Sequence, residues 1–177
     1  MKKFISLFAS VAAVLVLASC NPKKTINDAT TFTIDYSAEV QVPAVTVTVS
    51  GTQDYTTPDI PTTSSARYVT EGTTPALIDK ISLTRFNISA TGTTLDFVKS
   101  VNITMQASGL PDVSVASKTV IPAGSSSIDC DLSGTNIKDY IAKDNFKLKA
   151  TITFEKAQTA DCKLKFEQSI KVEGKKI

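Results

Sequence analysis

The sequence predicts an all-β protein: a β-sandwich with Ig-like or jelly-roll connectivity, about eight or nine strands, and one short helix near residues 136–142. Three observations predict it. Apolar residues recur at every second position through most of the chain, which is the period of a strand with one wet face. Turn signals punctuate these runs roughly every ten residues. The long amphipathic crossovers that a parallel sheet requires are missing.

The first twenty residues stand apart from that pattern. Lys2 and Lys3 precede an apolar run from Phe4 to Leu17, and small residues lead into Cys20. This is the three-part layout of a secretory signal over residues 1–19. The run is shorter than the roughly 20 residues that carry a helix across a bilayer. Leu17-Ala18-Ser19-Cys20 resembles the lipobox of bacterial lipoproteins. The resemblance implies cleavage before Cys20 and acylation, with palmitate among the chains, of its thiol and its new amino group. Each buried methylene contributes about 0.8 kcal/mol, so one chain holds marginally and several hold a protein to a membrane for good. By the same resemblance Asn21 implies sorting to the outer membrane. Asn21-Pro22-Lys23-Lys24 lacks the acidic residues that follow the cysteine in surface-exposed members, which favours the periplasmic side.

Residues 20–31 are polar and aperiodic, a spacer between membrane and domain. The domain runs over residues 32–174. Phe32, Ile34, Tyr36, Ala38, Val40 and Val42 alternate with polar residues and predict the first strand. After Pro43 the apolar parity passes to Val45, Val47 and Val49, so the path bends there. GTQDYTTPDIPTTSS, residues 51–65, reads as a loop, followed by a short strand over 66–70. In KISLTRFNISA the parity passes from Ile81 and Leu83 to Phe86, Ile88 and Ala90, predicting a bulge at Arg85 and Phe86. Strands follow over 98–107, 113–121 and 127–132. Asn136 as a cap, Asp139 in the first turn, and Ile137, Tyr140 and Ile141 at i, i+3 and i+4 predict the helix. The runs 146–154 and 162–172 alternate without a break and predict a hairpin through the turn 155–160. The span 77–173 resembles uncharacterised Bacteroidota envelope lipoproteins with sandwich domains. That resemblance implies a fold and an envelope location and carries no activity or site residues.

Composition narrows the function classes. Loss of Lys2 and Lys3 with the signal leaves 17 basic residues against 17 acidic. A neutral chain lacks the basic surface that displaces counterions from nucleic acid, so no nucleic-acid partner is implied. The chain has no histidine, which removes Ser-His-Asp and Cys-His catalysis and the usual zinc and iron ligand sets. No cofactor and no metal is implied.

The remaining chemistry is sparse. With Cys20 lipidated, Cys130 and Cys162 remain, either bridged or as two inert buried thiols. Asp129 and Asp131 share a parity on one predicted strand and read as solvated charges that discourage edge pairing, as a carboxylate pair for histidine-free catalysis, or as a weak calcium site. Lys147, Lys149, Lys163, Lys165 and Glu167 fall on the outer face of the predicted hairpin, where Lys147 or Lys149 would meet Glu167. Glycan recognition needs flat aromatic faces. Tryptophan is absent, and Tyr36 and Tyr140 fall on buried faces, leaving Tyr55 and Tyr68 with Asp54, Asp59 and Arg67 as the contact surface around the long loop.

The reading that follows is a non-catalytic, lipid-anchored scaffold or binding module of the outer-membrane envelope, with the membrane and envelope proteins or glycans as partners. A glycan-binding lipoprotein using residues 51–68 is the alternative, and a histidine-free enzyme the third.

Overall fold

Strict alternation over twelve residues builds the first strand. Along β1 (Thr31–Val42), Phe32, Ile34, Tyr36, Val40 and Val42 are buried while Thr31, Thr33, Asp35, Ser37, Glu39 and Gln41 face water. A computed structural model of the chain describes residues 31–44 and 51–175. The secretory segment, Cys20, the spacer up to residue 30 and the parity change at Val45, Val47 and Val49 lie outside the described residues.

The described residues continue with β2 (Thr52–Thr56), β3 (Ile60–Pro61), α1 (Ser64–Thr70), a 3-10 turn (Pro75–Leu77) and β4 (Ile78–Thr91). Then come β5 (Val98–Gln106), β6 (Val113–Lys118), β7 (Ser127–Asp129), β8 (Asp131–Leu132), α2 (Lys138–Ile141), β9 (Asn145–Phe154) and β10 (Cys162–Gly174). All pairings are antiparallel. One sheet has the order β1-β10-β4-β7; the other has the order β2-β9-β5-β6-β8, with β3 also on β9.

The pairing has a simple logic. About the turn at 107–112, β5 pairs with β6, and around that pair are nested β4 with β7, β2 with β9, and β1 with β10. This is one long hairpin. Rolling it lays β10 against β4 and β9 against β5, which closes two layers around the apolar faces. The result is jelly-roll connectivity, not the Ig arrangement. Phe86, Phe166, Ile88 and Ile170 from one sheet meet Ile103, Leu148, Ile152 and Phe154 from the other in one core. Tyr36 and Phe146 join the layers edge to face, with ring centroids 5.3 Å apart.

The structure corrects several expectations. The runs 146–154 and 162–172 are not a hairpin, because β9 and β10 lie in different sheets. Two strands with one apolar face each can sit side by side or face one another; the connection at 155–161 is long enough to cross the roughly 10 Å between packed sheets. The segment expected as a strand at 66–70 is the helix α1, because Ser64 and Tyr68, four apart, are the buried pair and Tyr68 packs edge-on against Phe32. Residues 51–65 are not all loop: Tyr55 and Ile60 turn inward on β2 and β3, which pair along β9. The strand expected over 127–132 is two strands, β7 and β8, one in each sheet, with Cys130 at the crossing. These splits bring the count to ten strands among the described residues, against the eight or nine expected.

Other expectations hold with small shifts. The β4 bulge falls at Thr84 and Arg85, one position before the expected site, where both side chains are exposed and the register against β10 slips. Ile137, Tyr140 and Ile141 are buried around α2 as their spacing implies. Asn136 caps from one place further out: its Oδ1 accepts the backbone N–H of Lys138 at 3.1 Å and also that of Ile81 at 3.1 Å, tying α2 to β4.

Candidate functional site

Rolling one hairpin into two layers gives the molecule two ends with different contents. At one end β1 enters, with Thr31 opposite Glu173, and beside it lie Ile78 opposite Gly174, α1, the 3-10 turn and α2. Tyr140 of α2 donates its hydroxyl to the Pro111 carbonyl at 2.5 Å, so the 107–112 turn belongs to this end too. At the opposite end three loops are tied together. Asp96 accepts the backbone N–H of Gly124 at 2.7 Å and faces Lys156 at 3.8 Å, and Leu95 donates its N–H to the Ser125 carbonyl at 2.7 Å. The Gly124 hydrogen bond, helped by Thr94 and Lys156, holds the Asp96 carboxyl below its ordinary range.

The expected contact surface at 51–68 is not assembled. Tyr55 and Tyr68 are 9% and 4% exposed, so neither ring can stack on a sugar. Tyr55 faces the core from β2 and donates its hydroxyl to Gln53 at 2.7 Å; Tyr68 anchors α1. Burial pushes both phenols above their usual range. The charged members are scattered. Asp54 accepts from Thr151 at 2.6 Å, Asp59 faces Lys147 at 3.7 Å, and Arg67 faces Glu71 at 3.5 Å within one helical turn. Alternation alone did not distinguish an outward tyrosine in a loop from an inward one on an edge strand.

Asp129 and Asp131 part company in the same way. Asp129 ends β7, accepts from Asn87 at 2.9 Å and faces Arg85 at 3.5 Å; the Asn87 bond, with Arg85 behind it, holds its carboxyl below the usual range. Asp131 starts β8 in the other sheet and faces Lys118 at 3.3 Å. No cluster of three acidic or cysteine ligands occurs among the described residues. The outward charges of the expected hairpin are dispersed by the same crossing. Lys147 and Lys149 pair with Asp59 and Asp112 on one sheet, whereas Lys163 and Lys165 pair with Glu39 and Glu167 on the other.

Cys130 and Cys162 are both free and buried. Cys130 donates its N–H to the Phe86 carbonyl, and Phe86 lies opposite Gln168, six positions along β10 from Cys162. At about 3.3 Å per residue the two are about 20 Å apart along the sheet, well beyond the span of a disulfide. The bridge is therefore ruled out by the register. Burial pushes the Cys130 thiol up to about 12 and raises that of Cys162 as well, which keeps both protonated and slow to react.

Two open depressions of about 360 Å³ each mark the surface. The first lies on the outer face of the four-stranded sheet, with Asp35, Arg85, Glu167 and Ser169 around it. Its charged groups already have partners: Asp35 accepts from Ser169 at 2.6 Å, Glu167 from Lys165 at 2.6 Å, and Arg85 faces Asp129. The second lies at the entry end between Asp59, Gln106, Asn145 and Lys147, where Gln106 donates to Asp112 at 2.7 Å. Neither gathers unpaired acids, bases or nucleophiles into one enclosure.

One inward residue was not singled out in the sequence. Gln168 takes a core position on β10 between Phe166 and Ile170, is 2% exposed, and has no partner for either amide atom. Its place in the alternation was the available signal.

No protein-family model and no curated protein matches the chain. Among solved structures, it is similar to a chain of Desmodium yellow mottle tymovirus at 14% identity, covering 98% of this chain and 96% of that one, with a TM-score of 0.30. Turnip yellow mosaic virus is similar at 15% identity, covering 81% and 93%, with a TM-score of 0.30. Likeness at this level transfers neither function nor site residues.

Proposed function

We propose that this chain is a non-catalytic lipoprotein module of the bacterial outer-membrane envelope. Cys20 carries the fatty anchor, the residues up to Thr31 form the spacer, and the jelly-roll domain serves as a scaffold or binding module, on the periplasmic side. The observation that carries the reading is the lipobox-like Leu17-Ala18-Ser19-Cys20 behind a two-lysine secretory run. The two-ended domain is compatible with it. A chain held at the β1 end leaves the Asp96, Gly124 and Lys156 loops pointing away from the anchor, free to meet envelope partners.

Membrane fractionation tests the proposal. The wild type, expressed in a bacterium that processes lipoproteins, should sediment with outer membranes and incorporate labelled palmitate, and Cys20→Ala should do neither. Identical fractionation of the two proteins would refute the anchor.

A further inference from the structure

We infer that the end of the domain where β1 enters rests on the lipid surface through Val69 and Leu77. The inference builds on the anchor reading and adds an orientation to it. Four large apolar side chains are notably exposed among the described residues: Val69 at 79%, Leu77 at 42%, Val120 at 73% and Leu132 at 37%. Val69 and Leu77 share the entry end. Val69 follows Tyr68, whose ring packs on Phe32 one residue into β1. Leu77 accepts the backbone N–H of Lys175 at 2.8 Å, next to the Gly174–Ile78 and Glu173–Thr31 pairings.

Scattered exposed aliphatics are ordinary on a protein surface. What sets this pair apart is where the rest of the chain departs. Eleven steps separate Cys20 from Thr31, so the covalent chain between them reaches at most about 40 Å. The acylated residue therefore keeps the bilayer within reach of Val69 and Leu77, so that their contact with lipid is made within one tethered molecule. Two aliphatic side chains would not hold a free domain on lipid, since even one myristoyl chain does so only marginally. On a tethered domain they need only bias which end turns toward the surface. Of the charges nearby, Arg67 is paired with Glu71 and Lys171 with Glu173. The occupant is the boundary between phospholipid headgroups and acyl chains.

The test uses the full lipidated protein on vesicles of phosphatidylethanolamine and phosphatidylglycerol, with an environment-sensitive fluorophore on Val69→Cys or, separately, on Val120→Cys. Cys130 and Cys162 are buried, so labelling under native conditions is selective. The probe at 69 should shift to the blue, gain intensity several-fold and be quenched by brominated lipid, while the probe at 120 stays as in solution. Adding Leu77→Asp should reverse most of the gain. Vesicle-bound protein whose probe at 69 remains as wet as in Cys20→Ala, or whose probe at 120 is the protected one, would overturn the orientation and leave the anchor standing. Failure of the wild type to float with vesicles would overturn the anchor itself.

Discussion

The Tyr36 hydroxyl donates a 2.6 Å hydrogen bond to the Thr62 carbonyl, joining the middle of β1 to the segment that links β3 to α1, 26 residues away. Thr62 is itself buried, and its hydroxyl donates to the Lys143 carbonyl at 2.7 Å, so the bond ties the edge of one sheet to the segment between α2 and β9. Tyr36→Phe removes the donor and leaves a buried carbonyl unpaired, a loss of about 1–2 kcal/mol. Urea unfolding should show a lower midpoint with an unchanged slope.

Gln168 should respond in the opposite direction. Its amide is buried without a protein partner, and Gln168→Leu exchanges that desolvated group for an apolar one of similar size. The substitution should stabilise the fold by about 1–2 kcal/mol in chemical denaturation. A destabilised variant would mean that the amide is paired in solution, by ordered water for example, and the stabilisation argument would fail.

The thiols provide a separate check. In the native protein at neutral pH, Cys130 and Cys162 should react slowly with a thiol reagent, and both should react at once in denaturant without reductant. A bridged pair would give none. The Cys130 pKa also sets a pH trend. It is raised in the fold to about 12, whereas an unfolded thiol titrates near 8.5, so above about pH 8.5 the unfolded chain holds fewer protons than the folded one. Its contribution is complete below that pH and fades as pH climbs toward 12. Cys130→Ser or Cys130→Ala should flatten that alkaline slope.

Asn87 fastens the short edge strand β7. It donates to Asp129 at 2.9 Å, accepts from Ser127 at 2.9 Å, and is 6% exposed. Asn87→Ala should lower stability by about 1–2 kcal/mol and speed amide exchange at Cys130 and along 127–129, with exchange in the middle of β9 changing far less.

Acid should loosen two places first. The carboxyls of Asp96 and Asp129 titrate below their ordinary range in the fold, so each contributes stability above the unfolded carboxylate pKa and loses it as pH falls through the folded value. Amide exchange at Gly124 and at 127–129 should accelerate below about pH 4 before the core strands respond. Asp96→Asn should remove the pH dependence at Gly124 and leave that at 127–129 in place.

Much of the strand content was legible because a one-sided strand must alternate. The β1, β4, β5, β9 and β10 runs could be read from Phe32, Ile88, Ile103, Leu148 and Phe166 and their neighbours at every second position. The same rule misread α1, where Ala66, Tyr68 and Thr70 also alternate but only Tyr68, four residues from Ser64, is buried. It also counted Tyr55 and Tyr68 as surface residues, since a hydroxyl-rich segment with two prolines conceals an edge strand. The contact surface built on them dissolved once both rings were found inside.

By itself the sequence determined which face of each strand is oily, that the architecture is a two-layered β-sandwich, and that histidine chemistry is closed to the chain. Partner choice was settled only by the tertiary structure. Alternation records inward and outward but not beside or across, so the same apolar run serves equally for a hairpin neighbour and for a strand in the opposite sheet. Rolling the long hairpin resolved that ambiguity for β9 and β10, parted Asp129 from Asp131, and set Cys130 and Cys162 apart, because each depends on contacts distant in the chain that only packing of the whole core can select.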